Sequence, residues 1–458
     1  MEMNPKIHTW SQYASLAEGM LKGDDGEFSG LIRVDSRKIE EGDLFVALSG
    51  KNMDGHDFIL DAFSRGAHCA LVSSSWGEKI RDLPEGIRVI EVADPEQGLI
   101  KIARHRLKGL KNVIAVTGSV GKTSTREMIF LALGGSSSGV YRARSSHNTR
   151  IGCALTVAEM PEDTSVLILE MGTNHPGEIS EMVDLYPVDT AVITEIAPAH
   201  LEGLGSLEGV LDAKLEILES PNLRKVIFNG DNPMLSSAVK ERSFGKNWQA
   251  LSVGSSGSYV LEDIRLEWQE RPVLSMIIGE KQGRSSYGIK AKLTGIHNAS
   301  LLGIAWATAV ELGISPEEAS IRLSSIKPYH GRGVLKDRGG ILVLDESYNA
   351  NPKSMEALLD LVAQSPFPRE KRLLILGEMG ELGEGSLSLH EEILKKALPL
   401  GTVFLFGSMW ISLKPPVKVY EDIESLSSDL KSLLSKGYFI AIKGSRTNGL
   451  ERLMEIFS

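Results

Sequence analysis

The sequence predicts an α/β protein of three units. The central unit carries a P-loop on a parallel sheet, and the C-terminal unit is of roughly dinucleotide-fold size. Short apolar runs alternate with segments of helical period, the pattern of parallel strands covered by helices on both faces. The 458 residues are enough for about three ordinary domains. A glycine-rich turn follows an apolar run at residue 113 and opens a helical segment.

In the first unit, residues 1–109, Leu44–Leu48 reads as a strand that ends at Ser49-Gly50. Phe58–Phe63 reads as a helix, Cys69–Val72 and Val89–Val92 as strands, and Leu99–Leu107 has apolar residues at helical spacing. Gly109-Leu110-Lys111-Asn112 marks the first boundary. The second unit, residues 110–327, places strands at Val113–Val116, Val166–Leu169, Thr190–Thr194 and Lys225–Phe228. Helices fall at Thr123–Leu133, Leu207–Leu218, Ala299–Leu312 and Pro316–Leu323. Tyr259–Trp268 and Val273–Ile278 alternate and read as antiparallel strands added to that sheet. After a boundary near Lys327–Gly331, the third unit, 328–458, has strands at Ile341–Leu344, Leu373–Leu376, Val403–Phe406 and Phe439–Ile442, with a helix at Met355–Val362. Its first turn lacks GxGxxG, so a dinucleotide cofactor has no support.

Composition narrows the function. A net charge of −10 argues against a broadly basic nucleic-acid binder. Hydrophobic residues at 42% suffice for real cores. Cys69 and Cys153 are the two cysteines, too few for a disulfide framework or a thiolate zinc site. The chain has no apolar run of the ~18 residues a spanning helix needs. Met1–Gly23, with Lys6, Glu18 and Lys22, has no signal-peptide core. A soluble cytoplasmic protein is expected.

The sharpest motif is Thr117-Gly118-Ser119-Val120-Gly121-Lys122-Thr123-Ser124. Glycines let a backbone wrap closely round phosphates, and a helix N-terminus offers free N–H groups and the positive end of its dipole. Lys122 would reach the outer phosphates, and Thr123 would offer its hydroxyl to Mg²⁺. The full P-loop pattern has a further glycine where this chain has Val116. Glu170 ends an apolar run on the same carboxyl side of the sheet, placed to meet that metal. His200 lies beyond the Thr190–Thr194 strand on the same side. Taken alone, Lys214 reads as a surface lysine on a helix. Asn229 follows a strand, where it would either read an adenine edge or build a turn. Arg332 lies at the second boundary and would close on a γ-phosphate. Asp345–Pro352, Gly377–Gly383 and Lys443–Arg446 each follow a strand of the third unit and would line one crevice edge. These residues give an ATP-using, Mg²⁺-dependent enzyme whose class stays open among kinases, ATPases and ligases. A GTPase is disfavoured, because no Asn-Lys-x-Asp stretch follows a strand.

The sequence resembles the Mur ligases of peptidoglycan synthesis over nearly its whole length. The resemblance is carried by Val34–Arg37, Gly42–Leu48, Asp54–Phe58, the Thr117–Thr123 loop without its first glycine, Glu170–Ile179, Ala199–Ser206 and Asp345–Pro352. Gly380–Gly383 with His390, and Lys443–Arg446 with Glu451, complete the set. It is greatest to the branch that adds D-alanyl-D-alanine. The architecture implied is a UDP-substrate domain, a central ATP-binding P-loop domain and a C-terminal Rossmann-like ligase domain. The chemistry implied is attack by the carboxylate of UDP-N-acetylmuramoyl-tripeptide on ATP, giving an acyl phosphate that the amine of D-alanyl-D-alanine then attacks.

By the same resemblance, Gly118 to Ser124 hold the nucleotide, helped by Asn229 at adenine, Arg332 at phosphate and the Asp345/Glu346 pair. Thr123 and Glu170 hold one Mg²⁺. His200 and a carbamylated Lys214 hold a second, which reverses the surface reading of that lysine. Lys122, His200, Lys214 and Arg332 form the catalytic set. Ser36 and Arg37 hold the UDP end, and Asn148, Asn349 and Asn351 contact substrate. No nucleic acid or membrane insertion is implied, and a monomer is expected. Glu346 replaces a usual aspartate, while Ser146, Thr149, Cys153 and Ala154 depart from the family's loop. A neighbouring amide ligase would be the alternative. The enzyme that adds the third residue, however, carries Asp-Tyr-Ala-His, where this chain has Ser347-Tyr348-Asn349-Ala350-Asn351-Pro352. A nucleotide-binding switch with slow ATP hydrolysis is the alternative from another class.

Overall fold

The computed structural model describes residues 9–50, 53–77, 87–143, 147–283, 285–433 and 437–456; Ser146 lies outside them. These residues form three sheets, each drawn from one contiguous stretch of chain. The first has five strands, with Met20–Lys22 antiparallel at one edge and Ile32–Arg33, Leu44–Val46, Cys69–Ser73 and Val89–Val92 parallel.

The central sheet has nine strands. Six run parallel in the order Val140–Arg142, Val166–Glu170, Val113–Thr117, Thr190–Ile193, Lys225–Asn229 and Gln249–Gly254. Tyr259–Trp268 joins parallel by its first residues, then pairs antiparallel with Pro272–Glu280, which pairs antiparallel with Ser286–Ala291. The C-terminal sheet has six strands, all parallel except the edge strand Val334–Arg338.

Continuous apolar runs arise because both faces of the central sheet are covered. Successive side chains point to opposite faces. Ile114 and Val116 therefore pack with Met128, Ile129 and Trp306, while Val113 and Ala115 pack with Leu167 and Leu169 on the other side. That second cluster continues into the first domain through Leu99 and Ile102 of the helix Pro95–Leu107. Asp94 caps this helix through the N–H groups of Glu96 and Gln97, and Pro95 opens it, so it starts four residues before its apolar stripe suggests.

The C-terminal domain has its own core, reached from the centre by Leu266 and Trp268 of the long hairpin. The Trp268 ring lies edge-on to Phe439 at 5.6 Å and to Phe367 at 6.4 Å between centroids. No helix among the described residues is long and apolar enough to cross a membrane.

Candidate nucleotide and ligase site

The glycine-rich turn links the strand Val113–Thr117 to the helix Lys122–Ala132. Gly118 has φ +139°, and a Cβ there would lie 2.2 Å from Thr194 Oγ1. A side chain is therefore excluded both by conformation and by space. Ser119 Oγ donates to Ala197 O at 2.8 Å, and Thr194 Oγ1 donates to Val120 O at 2.6 Å. The loop is thus stitched to the end of the neighbouring strand before any ligand arrives. Lys122 Nζ folds back to Gly118 O at 2.6 Å. Burial lowers its pKa, with the Glu170 charge opposing.

Glu170 ends the strand Val166–Glu170 and is 1% exposed. Thr123 Oγ1 lies 3.1 and 3.0 Å from its two carboxylate oxygens. Arg126, fully buried one turn along the P-loop helix, donates to Glu170 Oε2 at 3.1 Å and to Glu127 Oε1 at 2.9 Å. Arg142 pairs with the other oxygen of Glu127 at 2.7 Å. Sequence reasoning missed Arg126, since an arginine in a helix gives no sign of burial. The signal available was its place three residues beyond Thr123.

Lys214 overturns its own first reading. It is 0% exposed, not at the surface, and its Nζ has no hydrogen-bond partner among the described residues. Burial, with Lys122 nearby, drives its pKa well below the ordinary lysine value. The acids nearest it in charge are already engaged. Glu216 accepts the N–H groups of Gly177, Ile179 and Ser180 at 2.7, 3.1 and 3.1 Å, and Glu178 accepts those of Asn174 and His175 at 2.8 and 3.2 Å.

Both domains wall one cavity of about 370 Å³. Ser119 to Ser124, Asn148, Glu170 and His200 line it from the centre, and Arg332, Glu346, Asn349, Asn351, Glu381 and Arg446 from the C-terminal domain. The three strand-end clusters of the third unit do share one crevice edge, as expected. The Arg332 guanidinium stacks 4.0 Å over the Tyr348 ring, and its buried Nε has no partner among the described residues. Glu346 Oε2 accepts from Lys443 Nζ at 3.2 Å. Its neighbour Asp345 is turned into its own chain, accepting the Ser347 hydroxyl at 2.6 Å, and is not among the lining residues. Asn351 caps the helix Pro352–Gln364 through Ser354 N–H, and Asn349 Oδ1 accepts Ala350 N–H at 2.9 Å. His200 Nδ1 lies 2.6 Å from Glu381 Oε2, and this contact holds the Glu381 carboxyl below its usual pKa.

Six expected positions fall outside the cavity lining: Gly118, Lys214 and Asp345, described above, and Ser36, Arg37 and Asn229. Ser36 and Arg37 sit in the first domain, where Arg37 forks onto Asp35 at 2.9 and 3.0 Å. Asn229 ends its strand, donates to Glu195 Oε2 at 3.0 Å and accepts Asp231 N–H at 3.1 Å. Glu195, which also receives Asn232 Nδ2 and does line the cavity, was not anticipated. Its position directly after the strand end was the available signal.

Similar proteins agree over the whole chain. Residues 30–106 match the description Mur ligase family, catalytic domain; 116–309 match the Mur ligase middle domain; and 331–446 match the Mur ligase, glutamate ligase domain. A Bacillus subtilis protein named UDP-N-acetylmuramoyl-tripeptide–D-alanyl-D-alanine ligase is 32% identical over 445 residues, 93% of this chain and 92% of its own. Its namesake in Escherichia coli is 30% identical over 97% of each chain. A crystal structure of MurF from Acinetobacter baumannii matches with a TM-score of 0.83 at 26% identity, covering 98% of this chain and 99% of that one. The MurF ligase from Thermotoga maritima in complex with ADP gives 0.76 at 28% identity, over 94% and 97%. With three matched domains in order and relatives this similar along their full length, the chain belongs to the Mur ligase family.

Proposed function

We propose that the chain is an ATP-dependent ligase joining D-alanyl-D-alanine to UDP-N-acetylmuramoyl-tripeptide, yielding the UDP-linked pentapeptide precursor of peptidoglycan, ADP and phosphate. The observation that carries this reading is the meeting of the P-loop wall with Arg332 and the C-terminal strand ends in one cavity. The relatives named for this reaction match at full length. A carboxylate oxygen of the tripeptide bonds to the γ-phosphorus as its bond to the β,γ-bridging oxygen breaks, and ADP leaves. The dipeptide nitrogen then bonds to the acyl carbon, loses a proton and expels phosphate. Two anions must approach each other in the first step. Lys122 and Arg332 offset that repulsion, and one such contact made in the transition state is commonly worth several kcal/mol. Closing the cavity keeps water from the acyl phosphate.

The donor set suits hard cations. Thr123 and Glu170 would hold one Mg²⁺, with phosphate and water oxygens completing its shell. A second ion would be held by His200 and a carbamylated Lys214. A buried, unpartnered amine with a lowered pKa suits that modification. The neutral nitrogen bonds to the carbon of CO₂ and loses a proton, which turns a cation into an anion. Bound Mg²⁺ supplies charge neutralisation at the phosphates. Asn229, Asp345 and Glu346 would serve the adenosine, Ser36 and Arg37 the UDP end, and Asn148, Asn349 and Asn351 the peptide. We place the domain boundaries near 109 and 327, and the enzyme in the cytoplasm as a monomer.

The test is phosphate release from ATP and Mg²⁺ with the UDP-linked tripeptide, with and without D-alanyl-D-alanine, followed by product mass. Release that needs both substrates, with the mass of the pentapeptide, supports the reading. No release with either lysine- or diaminopimelate-type tripeptide overturns it. Lys214→Ala should lose most activity and bicarbonate should not restore it; full activity would sink the carbamate.

A further inference from the structure

The contact between His200 and Glu381 bridges the central and C-terminal domains, and both residues have left-handed backbone, φ 55° and 62°. Glu18, His200, Asp263, Glu381 and Lys414 are the five non-glycine residues with positive φ among those described. That conformation is costly for an L-residue and persists where the surroundings over-determine it. Here two such residues face each other in an ion contact, Nδ1 to Oε2 at 2.6 Å, with the ring N–H not aligned for a hydrogen bond. Glu202 N–H adds a longer backbone contact to Glu381 O at 3.4 Å.

The loop that delivers Glu381 is fixed from behind. His390 is fully buried. Its Nδ1 lies 2.7 Å from Ser386 O, so this nitrogen carries the proton, and its Nε2 accepts Met379 N–H at 2.9 Å. Glu378 O accepts Ser445 N–H at 2.9 Å, and Glu378 Oε1 accepts Met409 N–H at 2.6 Å. A loop held at three points beside an exposed carboxylate aims that carboxylate at one partner.

We propose that Glu381 is a positioning residue that clasps His200 across the domain boundary. It fixes the imidazole through Nδ1 and leaves only Nε2 for a ligand, so that His200 is set for its task only when the C-terminal domain is closed on the centre. A carboxylate that orients a ligand histidine through the other ring nitrogen is a general device. Here the carboxylate belongs to the other domain, which ties assembly of the site to closure. The task of His200 rests on the ligase reading; the clasp itself rests on the geometry.

The experiment uses the full chain with spin labels at Lys240→Cys in the central domain and Glu391→Cys in the C-terminal one, both exposed positions. Cys69 and Cys153 are buried, with thiols pushed up to about 12, and should stay unlabelled. With ADP and Mg²⁺, the parent should give one narrow distance distribution. Glu381→Gln should broaden it towards longer distances and lower kcat roughly 10- to 100-fold with little change in the KM for ATP, and Glu381→Asp should recover part of both. An unchanged distribution in Glu381→Gln overturns the clasp, whatever happens to kcat. If the parent forms no pentapeptide product, the ligase reading fails, while the distance comparison still decides the clasp.

Discussion

The two walls of the cavity are built differently. The central wall shares one continuous core with the first domain, through Leu99, Ile102 and the strands Val113–Thr117 and Val166–Glu170. Its polar and charged groups are buried or half-buried and locked to one another, as in Thr123, Glu170, Arg126 and Glu127. The C-terminal wall stands on a separate core, joined to the centre by the Trp268 hairpin and by the Glu381 contact. Its cavity residues sit at strand ends, on loops and along the helix Pro352–Gln364, several of them half-exposed. A prebuilt wall suits the ligand that must be held rigidly, the triphosphate. A separately cored wall suits the part that closes over it.

The largest expected effect would break the rigid wall. Arg126→Met leaves the Glu170 carboxylate buried beside an apolar chain, and losing one partner of a buried pair costs about 3–5 kcal/mol. Denaturant unfolding should show that loss, and a midpoint within error of the parent would mean that the network does not brace the wall. Next is Lys122→Ala. It removes a half-buried cation whose charge, on the proposed reading, would serve the transferred phosphoryl group, so kcat should fall about 10²–10³-fold. The unfolding midpoint should barely move. Near-normal turnover in single-turnover assays would place the compensating charge elsewhere.

The same contrast governs what could be read from the sequence. Strands buried on both faces were legible within a residue or two. Val166–Leu169 became Val166–Glu170 because two-sided burial writes an unbroken apolar run, and Tyr259–Trp268 was unchanged because its alternation marks an added antiparallel strand. The P-loop was legible because its glycines answer to a local conformational need. Leu207–Leu218 was one helix by spacing, yet it tightens into a 3-10 turn at Glu216–Glu219, where Glu216 caps a different helix. Lys214 was illegible from its own helix. Its neighbours Asp212 and Glu216 suggest a solvated face, and only tertiary packing buries it. Edge strands such as Val140–Arg142 and Val334–Arg338 were missed, being short or too polar to leave a periodic signal. Glu381 and His390 were noted as part of a motif, but the partner of Glu381 lies in the central domain, and no spacing rule links residue 200 to residue 381.

A smaller perturbation sharpens the comparison where the two cores meet. Trp268→Leu keeps an apolar side chain but removes its edge contacts with Phe439 and Phe367, each ring pair being worth about 0.5–1.5 kcal/mol. Because this packing joins two cores rather than filling one, hydrogen exchange should rise in the hairpin and in Phe439–Lys443, while Val113–Thr117 stays protected. Uniform loss of protection over all three sheets would show that the domains unfold as a unit.

The smallest effect concerns pH and the loop behind Glu381. Burial holds His390 below the ordinary histidine pKa, and its unprotonated Nε2 accepts Met379 N–H. As pH falls through the ordinary value of about 6.5, the unfolded chain takes up a proton that the folded chain refuses. The contribution of His390 is therefore complete above that value and is lost as pH drops towards the lower folded-state pKa. The slope for one proton cannot exceed roughly 1.4 kcal/mol per pH unit. His390→Gln keeps a hydrogen-bonding side chain but cannot titrate. The stability difference between parent and variant should be flat above neutrality and shrink in the parent's disfavour from about pH 6.5 downwards. Parallel pH curves for the two proteins would show that the loop carrying Glu381 does not depend on a neutral imidazole, and that its other two anchors, at Ser445 and Met409, suffice.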